Sequence, residues 1–313
     1  MAQLTTNTQA FIEAEQYSSF ILLNLHDGLL GEQFYRNVTD FGSGTTLNIK
    51  TVGSVVIQDA AEDTPLIYNP IESGNITLTI TEYVGDAWYI TDDLREDGSQ
   101  IDALMAQRAS ESTRAIQENF ETKFLSIANA GQTNADGNVI NGFKHRIAST
   151  EPGNIFTTDL LVDMRLAFNK ANVPDTGRVF IVDPVVEATL NKLVSITHDV
   201  TDFGANILRE GLASGMQFVM KLYGFDIITS NRLPTGTFSD GTTEVTRAVA
   251  NIAMCVLDDQ TKPVMCAWRR QPKTEGERNK DHRRDEFVVT CRYGMGVQRL
   301  DTLGVIITSA SNY

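Results

Sequence analysis

The sequence predicts an α+β fold, and three patterns carry that prediction. Leu47 and Ile49 alternate with Thr46, Asn48 and Lys50, and Ile76, Leu78 and Ile80 alternate with Thr77, Thr79 and Thr81. Strict period-two alternation rich in β-branched residues is a strand signature. Between Ile101 and Ile127 the apolar positions instead recur at i+3 and i+4, the period of a long helix. After residue 178, short apolar runs mix with helical segments, without the regular βαβ alternation of a parallel α/β fold.

Taken in chain order, residues 1–10 are polar and read as a terminal tail. Residues 11–35 have scattered apolar positions and are expected to form a short helix. The two alternating runs then form a two-stranded arm, its strands separated by an insertion containing Pro65, Pro70 and Gly74. Its second strand, Asn75 to Tyr83, would reach roughly 30 Å at about 3.3 Å per residue. A lone two-stranded ribbon is marginal in water. Its apolar face therefore needs a receiver, either this chain's body or a neighbour.

Asp97 and Ser99 offer N-caps for the long helix, and Asp102 follows Ser99 at capping-box spacing. The helical positions are Ile101, Leu104, Met105, Ala109, Ser112, Ala115, Ile116, Phe120, Phe124 and Ile127, ending near Gly131. Such a helix of about 30 residues spans about 45 Å and reads as a strut with one face on a sheet. A turn follows at residues 134–142, and a second helix starts at Thr158-Asp159 and stops before Pro174. Val179–Val182 is a buried strand closed by Asp183-Pro184, and another helix runs to about Leu193. Past a Gly-punctuated loop at 204–215, strands are expected at Gln217–Lys221, Phe225–Thr229, Ile252–Leu257, Val264–Trp268, Phe287–Arg292 and Val297–Ile307.

The charge balance excludes some function classes. With 40 acids against 26 bases the net charge is −14, which argues against tight sequence-independent nucleic-acid binding, because phosphate contacts need Lys and Arg. An acidic container can still surround DNA without adhering to it. The first base is Arg36, so no positively charged leader precedes the early apolar run Phe20–Leu23. No apolar stretch approaches the roughly 18 residues of a membrane span. Cys255, Cys266 and Cys291 are odd in number and lack C-x-x-C spacing, as for buried thiols in a reducing compartment.

The search for catalytic and metal-binding motifs is negative. Gly211 to Gly215, with Ser214, lacks the spacing and strand-to-helix context of a nucleophile elbow. His26, His145, His198 and His282 are far apart in sequence and have no paired-ligand spacing. Asp92-Asp93 and Asp258-Asp259 lack calcium-loop spacing. Gly294-Met295-Gly296 reads as an aid to bending or close packing within a strand rather than a phosphate cradle. No catalytic residue, metal site or cofactor is expected.

Charge is segregated along the chain. Thr51 to Leu94 contains no base and eight acids: Asp59, Glu62, Asp63, Glu72, Glu82, Asp86, Asp92 and Asp93. Residues 268–284 carry seven bases (Arg269, Arg270, Lys273, Arg278, Lys280, Arg283, Arg284) against three acids. By itself that segment reads as a solvated loop or hairpin. Together, the two segments suggest an inter-subunit contact of Asp59, Glu62, Asp63 and Glu72 with Arg269, Arg270, Lys273, Arg283 and Arg284. Such a contact sets register more than affinity.

The order of these elements resembles the major capsid protein family of tailed bacteriophages, the Hong Kong 97-like fold. The resemblance covers nearly the whole chain and rests on the two-stranded arm, the long helix, Arg178–Pro184 followed by a helix, Leu222–Pro234 with its Gly-led strand and Pro turn, and the closing run from Asp285 through Val305-Ile306-Ile307. It implies an N-terminal arm (1–40), an extended loop (41–96), a spine helix with peripheral domain (97–150), an axial domain (151–262) and closing strands of the peripheral domain (263–313). It further implies self-assembly into hexamers and pentamers of an icosahedral head enclosing double-stranded DNA. The expected partners are other copies of the chain, a separate scaffolding protein, a portal protein and, optionally, a decoration protein. The expected location is the virion, after assembly in the host cytoplasm. With Lys50 at the base of the arm, no covalent cross-link is expected, and no removable scaffolding segment fits in the chain. The alternatives are an encapsulin-like bacterial compartment of the same fold and a soluble α+β enzyme.

Overall fold

The computed structural model describes residues 30–38, 44–53, 57–59, 62, 73–97, 101–133, 139–196 and 218–312. Most of the expected helix at 11–35, the Ser99 cap, the loop at 204–215, His26, His198, Asp63 and Glu72 lie outside them.

The chain enters through a 3-10 turn at Glu32–Phe34 and a two-residue strand, β1 (Arg36–Asn37). The arm strands are β2 (Thr46–Val52) and β3 (Ser73–Thr79), antiparallel with Leu47 opposite Leu78 and Ile49 opposite Ile76. β4 (Glu82–Thr91) follows directly, then a short helix α1 (Asp92–Asp97) and the long α2 (Ile101–Gly131). The expected single strand Asn75–Tyr83 is therefore corrected. It breaks at Ile80-Thr81, where the chain leaves the ribbon and joins a different sheet.

β5 (Val139–Ile140) and β6 (Phe143–Lys144) form a small hairpin. Its two turn residues, Asn141 (φ 50°) and Gly142 (φ 87°), are both left-handed, as tight hairpins prefer. Next come β7 (Arg146–Ala148), α3 (Thr158–Lys170), β8 (Arg178–Val182), α4 (Pro184–Ile196), β9 (Phe218–Leu222), β10 (Phe225–Thr229) and β11 (Thr235–Ser239). β12 (Glu244–Cys255), β13 (Val264–Asn279), β14 (Arg284–Val297) and β15 (Leu303–Ser309) complete the order. Four strand expectations are corrected in extent. β12 begins eight residues before Ile252, β13 runs eleven residues past Trp268, β14 extends from Arg284 to Val297 around the expected Phe287–Arg292, and 298–302 form a turn, so β15 starts only at Leu303.

Two main sheets result. The seven-stranded sheet has the order β7-β15-β12-β8-β10-β9, with β11 also on β12; the four-stranded sheet has the order β1-β13-β14-β4. One face of the seven-stranded sheet packs Phe180, Val182, Phe225 and Ile227 against Leu161, Met164 and Phe168 of α3 and Val186 and Leu190 of α4. Its other face gives Val179, Ile181, Ile252 and Met254 to a core shared with α2 and the four-stranded sheet. Burial on both faces explains why Val179–Val182 of β8 reads as an unbroken apolar run, and Arg178 before it is buried as well.

The four-stranded sheet is covered by α2 on one face, and on the other only at one end, where the arm root packs on Met265 and Ala267. Ile116, Phe124, Leu125 and Ala128 of α2 pack on Val264, Cys266, Val289, Cys291 and Tyr293. The buried positions of α2 begin at Ser112, and Leu104 in its first third is exposed.

Candidate assembly interface

The root of the arm is tied to the body by its apolar stripe. Leu47, Ile49, Ile76, Leu78 and Ile80 form a cluster with Val38, Met265 and Ala267, and Leu78 is fully buried. On the opposite face, Asn75 Nδ2 and Thr77 Oγ1 both donate to Asn48 Oδ1 at 3.2 Å. Of the two receivers open to the ribbon, the root thus uses its own body. The Gly-Met-Gly sequence is the crossing point. A Cβ on Gly294 would lie 2.8 Å from Ile80 Cα and closer still to the Thr79 carbonyl, and one on Gly296 would meet Leu78 at 3.1 Å. The glycines let the arm backbone lie directly on β14, the close-packing role expected of them.

Beyond Val52 most of the described residues up to Glu62 face solvent, while Gln58 is half-buried. Ile57 is 93% exposed, and Asp59 and Glu62 are exposed as well. Ile57 thus offers a large apolar side chain to solvent on the same stretch as two exposed carboxylates.

The basic segment 268–284 is the distal half of a long β-hairpin, not a loop. β13 and β14 stay paired out to Asn279 opposite Arg284. A turn closes the hairpin, in which Asn279 Oδ1 accepts from the Asp281 and His282 backbone N–H groups and Arg283 is left-handed (φ 49°). Register sorts the side chains in a way the linear sequence conceals. On the face away from α2, Tyr83, Arg292 and Arg270 form one row, and Gly85, Thr290 and Lys273 the next. Ala87, Val288 and Glu275 follow, then Tyr89, Glu286 and Glu277. This outer face is basic at one end, around exposed Tyr83, and acidic toward the hairpin tip, around exposed Tyr89, with exposed Val288 between them.

Much of that charge is matched within the chain. Arg270 and Lys273 both reach Glu275 (2.6 and 3.3 Å), and Arg284 reaches Glu286 (2.7 Å) while lying 4.4 Å from the centre of the Tyr89 ring. Arg278 bridges Asp92 (2.5 Å) and Asp285 (3.1 Å), and Arg95 also pairs with Asp285. The Arg278 hydrogen bond holds the Asp92 carboxyl below its ordinary range. One acid of the arm segment and one base of the hairpin are thus joined inside a single subunit, clasping α1 to the hairpin tip. Asp86, another of the eight acids, accepts from Ser112 and pairs with Arg108 (2.7 Å). Among the described residues, the ion pairs of Arg270, Lys273 and Arg284 go to Glu275 and Glu286 rather than to Asp59 or Glu62.

Sequence reasoning missed an aromatic cluster that fixes the incoming chain. Tyr35 lies 5.2 Å from Phe120 and 6.0 Å from Phe124, and Phe120 stacks on Trp268 (4.8 Å), which meets Tyr293 at 5.1 Å. Burial pushes the Tyr35 hydroxyl up to about 12 and the Cys266 thiol up to about 12, so both stay neutral and unreactive at ordinary pH. The only sequence signal was the aromatic at Phe120 on the buried stripe of α2. All three cysteines are buried and free. Among the described residues no three of His, Cys, Asp and Glu converge as a metal site would require, and no helix is long and apolar enough to cross a membrane.

Comparison with known proteins places this geometry. The family described as phage capsid protein matches residues 75–308. Curated proteins give no match. Solved capsids share the fold. That of cyanophage P-SCSP1u is 18% identical with a TM-score of 0.67, covering 98% of this chain and 95% of that one. The mature capsid of bacteriophage PhiM1 is 12% identical (TM-score 0.67, 100% and 98% covered). The capsid of cyanophage Pam1 is 13% identical (TM-score 0.67, 100% and 99% covered).

Proposed function

The chain belongs to the phage capsid protein family and is the structural subunit of a shell of many copies in the virion; from that premise we propose how the copies hold together. The acidic arm of one subunit lies on the outer face of the four-stranded sheet of its neighbour, with Asp59, Glu62, Asp63 and Glu72 facing Arg269, Arg270, Lys273, Arg283 and Arg284. The observation that carries this reading is Ile57, 93% exposed on the same stretch as Asp59 and Glu62. The receiving face offers what the arm lacks, namely exposed Tyr83, Tyr89 and Val288 beside Arg270, Lys273 and Arg292. The ion pairs that now hold Arg270 and Lys273 are solvent-exposed and weak, so an incoming carboxylate can replace Glu275 at little cost.

Copies joined by such one-directional contacts close into rings, and rings into an icosahedral head of hexamers and pentamers. The head encloses double-stranded DNA without sequence-specific binding, in keeping with the net charge of −14. Assembly takes place in the host cytoplasm with a separate scaffolding protein and a portal protein, and a decoration protein is an optional later partner. The compartment reading is not favoured, since the matched family and the similar structures are capsids of phages. The role is structural rather than catalytic.

The test is charge reversal. Arg269, Arg270, Arg283 and Arg284 changed together to Glu should leave a folded subunit, judged by circular dichroism and Tm, that no longer forms megadalton particles on size-exclusion chromatography. Normal particle yield from that variant removes the electrostatic docking.

A further inference from the structure

β4 (Glu82–Thr91) is the outer strand of the four-stranded sheet, and among the described residues only β14 pairs with it. In an antiparallel ladder every second residue turns its N–H and C=O away from the partner strand, so the far side of β4 presents a row of backbone donors and acceptors. Proteins commonly guard such an edge with a very short strand, a proline, a lysine or an inward-pointing charge. β4 has ten residues and neither proline nor lysine. Its two acids, Glu82 and Asp86, are each matched by α2, through Lys123 (3.6 Å) and Arg108 (2.7 Å). The edge is therefore long, and its charge is neutralised from within the subunit.

The strand is complementary to itself. Residues directly opposite in an antiparallel pair share a face, so a two-fold axis relating two copies of β4 passes through a single residue position. Centred on Asp86 or on Ala87, the two strands pair over nine residues, more than in any other register. The first sets two carboxylates face to face, which is unfavourable. The second opposes Tyr83 to Thr91, Gly85 to Tyr89 and Val84 to Ile90, and no two charges meet within it. Just outside it Glu82 falls opposite Asp92, each held by its own base, Lys123 and Arg278. Gly85 is bare because a Cβ there would lie 2.8 Å from the Val289 carbonyl oxygen, and an aromatic ring opposite an edge glycine fills the gap it leaves. We propose that β4 pairs antiparallel with β4 of a second copy about a two-fold through Ala87, joining two four-stranded sheets into one of eight strands. Neighbours around a ring meet head to tail, so a contact between identical patches links one ring to the next. That placement rests on the rings proposed above. The pairing does not, and it uses the strand edge rather than the sheet face taken by the arm.

The test uses three exposed positions on one face of β4, Tyr83, Ala87 and Tyr89. In this register Ala87 meets its own copy across the axis, whereas Tyr83 and Tyr89 stand about 26 Å and about 13 Å from theirs along the strands. Each is changed singly to Cys in the full-length chain, whose three native cysteines are buried. The assembled protein is oxidised mildly and run on a non-reducing gel. Ala87→Cys should give disulfide-linked dimers, and the two flanking variants little or none. No linkage at Ala87, or linkage at Tyr83 or Tyr89 as strong as at Ala87, overturns the pairing. Dimers linked through Ala87 in a preparation that forms no rings support the pairing and count against its placement alone. A charge exchange gives a readout without cysteine. Ala87→Lys and Ala87→Glu should each fold with unchanged Tm and lose closed particles, and an equimolar mixture of the two should recover them, because opposite charges then meet at the axis. Normal assembly of either variant alone, or no recovery on mixing, overturns the proposal. Loss with Glu but not with Lys reports the acids of the arm on this row instead, and overturns it too.

Discussion

The two main sheets differ in how much of their burial one chain can supply. The seven-stranded sheet is sandwiched, with α3 and α4 on one face and the core shared with α2 on the other. The four-stranded sheet has α2 on one face; on the other the arm root covers one end and leaves Tyr83 (67% exposed), Tyr89 (58%) and Val288 open. Scattered exposed apolar residues are ordinary, but three within four rows of one sheet face, set among charges, suggest a contact surface. The comparison locates stability in the first sheet and association in the second, and substitutions can separate the two.

The largest effect is expected in the sandwiched sheet. Phe180 is fully buried between Phe156 and Phe225, and Phe180→Ala should cost about 3–5 kcal/mol, a large share of a typical domain's stability. Urea denaturation should show the midpoint falling accordingly, and little soluble subunit should accumulate at 37 °C. If Phe180→Ala were tolerated as well as a substitution on the outer face, the proposed division of labour between the sheets would be wrong.

Gly294→Val comes next and acts where the arm crosses the open sheet. The added side chain collides with backbone at Thr79-Ile80, which cannot move aside as a side chain could. The arm root should lift from β14, exposing Leu78 and Ile80, at a cost of about 1–3 kcal/mol. Limited proteolysis should then cut near residues 80–81, and electron microscopy should show few closed particles. Protease resistance like that of the wild type would show that the crossing is not tight.

Acid provides a smaller probe of the same contrast. His145 is fully buried, with Nδ1 directed at the Phe143 carbonyl (3.3 Å) and the ring stacked 5.8 Å from Phe168, beside α3. Burial lowers its pKa, so the fold holds it neutral while the unfolded chain can take up a proton. Its contribution to stability is therefore complete above about pH 6.5, the ordinary His value, and is lost as pH falls below that. The subunit's Tm should drop between pH 7 and pH 5, and His145→Gln should flatten that slope. An unchanged slope would assign the acid response to other groups.

The smallest effect belongs to the surface clasp. Arg278→Ala removes exposed pairs to Asp92 and Asp285, so Tm should fall only slightly, and less at high salt.

The positions of most elements were legible in the sequence because each is decided by one dominant environment. β8 is buried on both sides and reads as a continuous apolar run; α2 has one buried stripe ending at Gly131, whose Cβ would strike Val297. The distal half of the β13–β14 hairpin was not legible. Its β13 strand is polar on both faces and persists through cross-strand pairs such as Arg278 with Asp285, so its composition fits a charged loop as well as a hairpin. The first half of β12 was missed for a related reason, since Glu244 to Arg247 are mostly exposed and polar.

The sequence by itself determined the α+β class, the acidic arm, the long helix and the absence of recognisable catalytic motifs, because these depend on local periodicity and composition. Only the tertiary structure decided which contacts are internal. It tied the arm root to the body through Leu78 and Ile80, joined Asp92 to Arg278 and sorted the charges of the outer face into separate ends. The physical reason is that a side chain's partner is set by strand register and by which chain segments cross, and those depend on contacts between residues far apart in sequence.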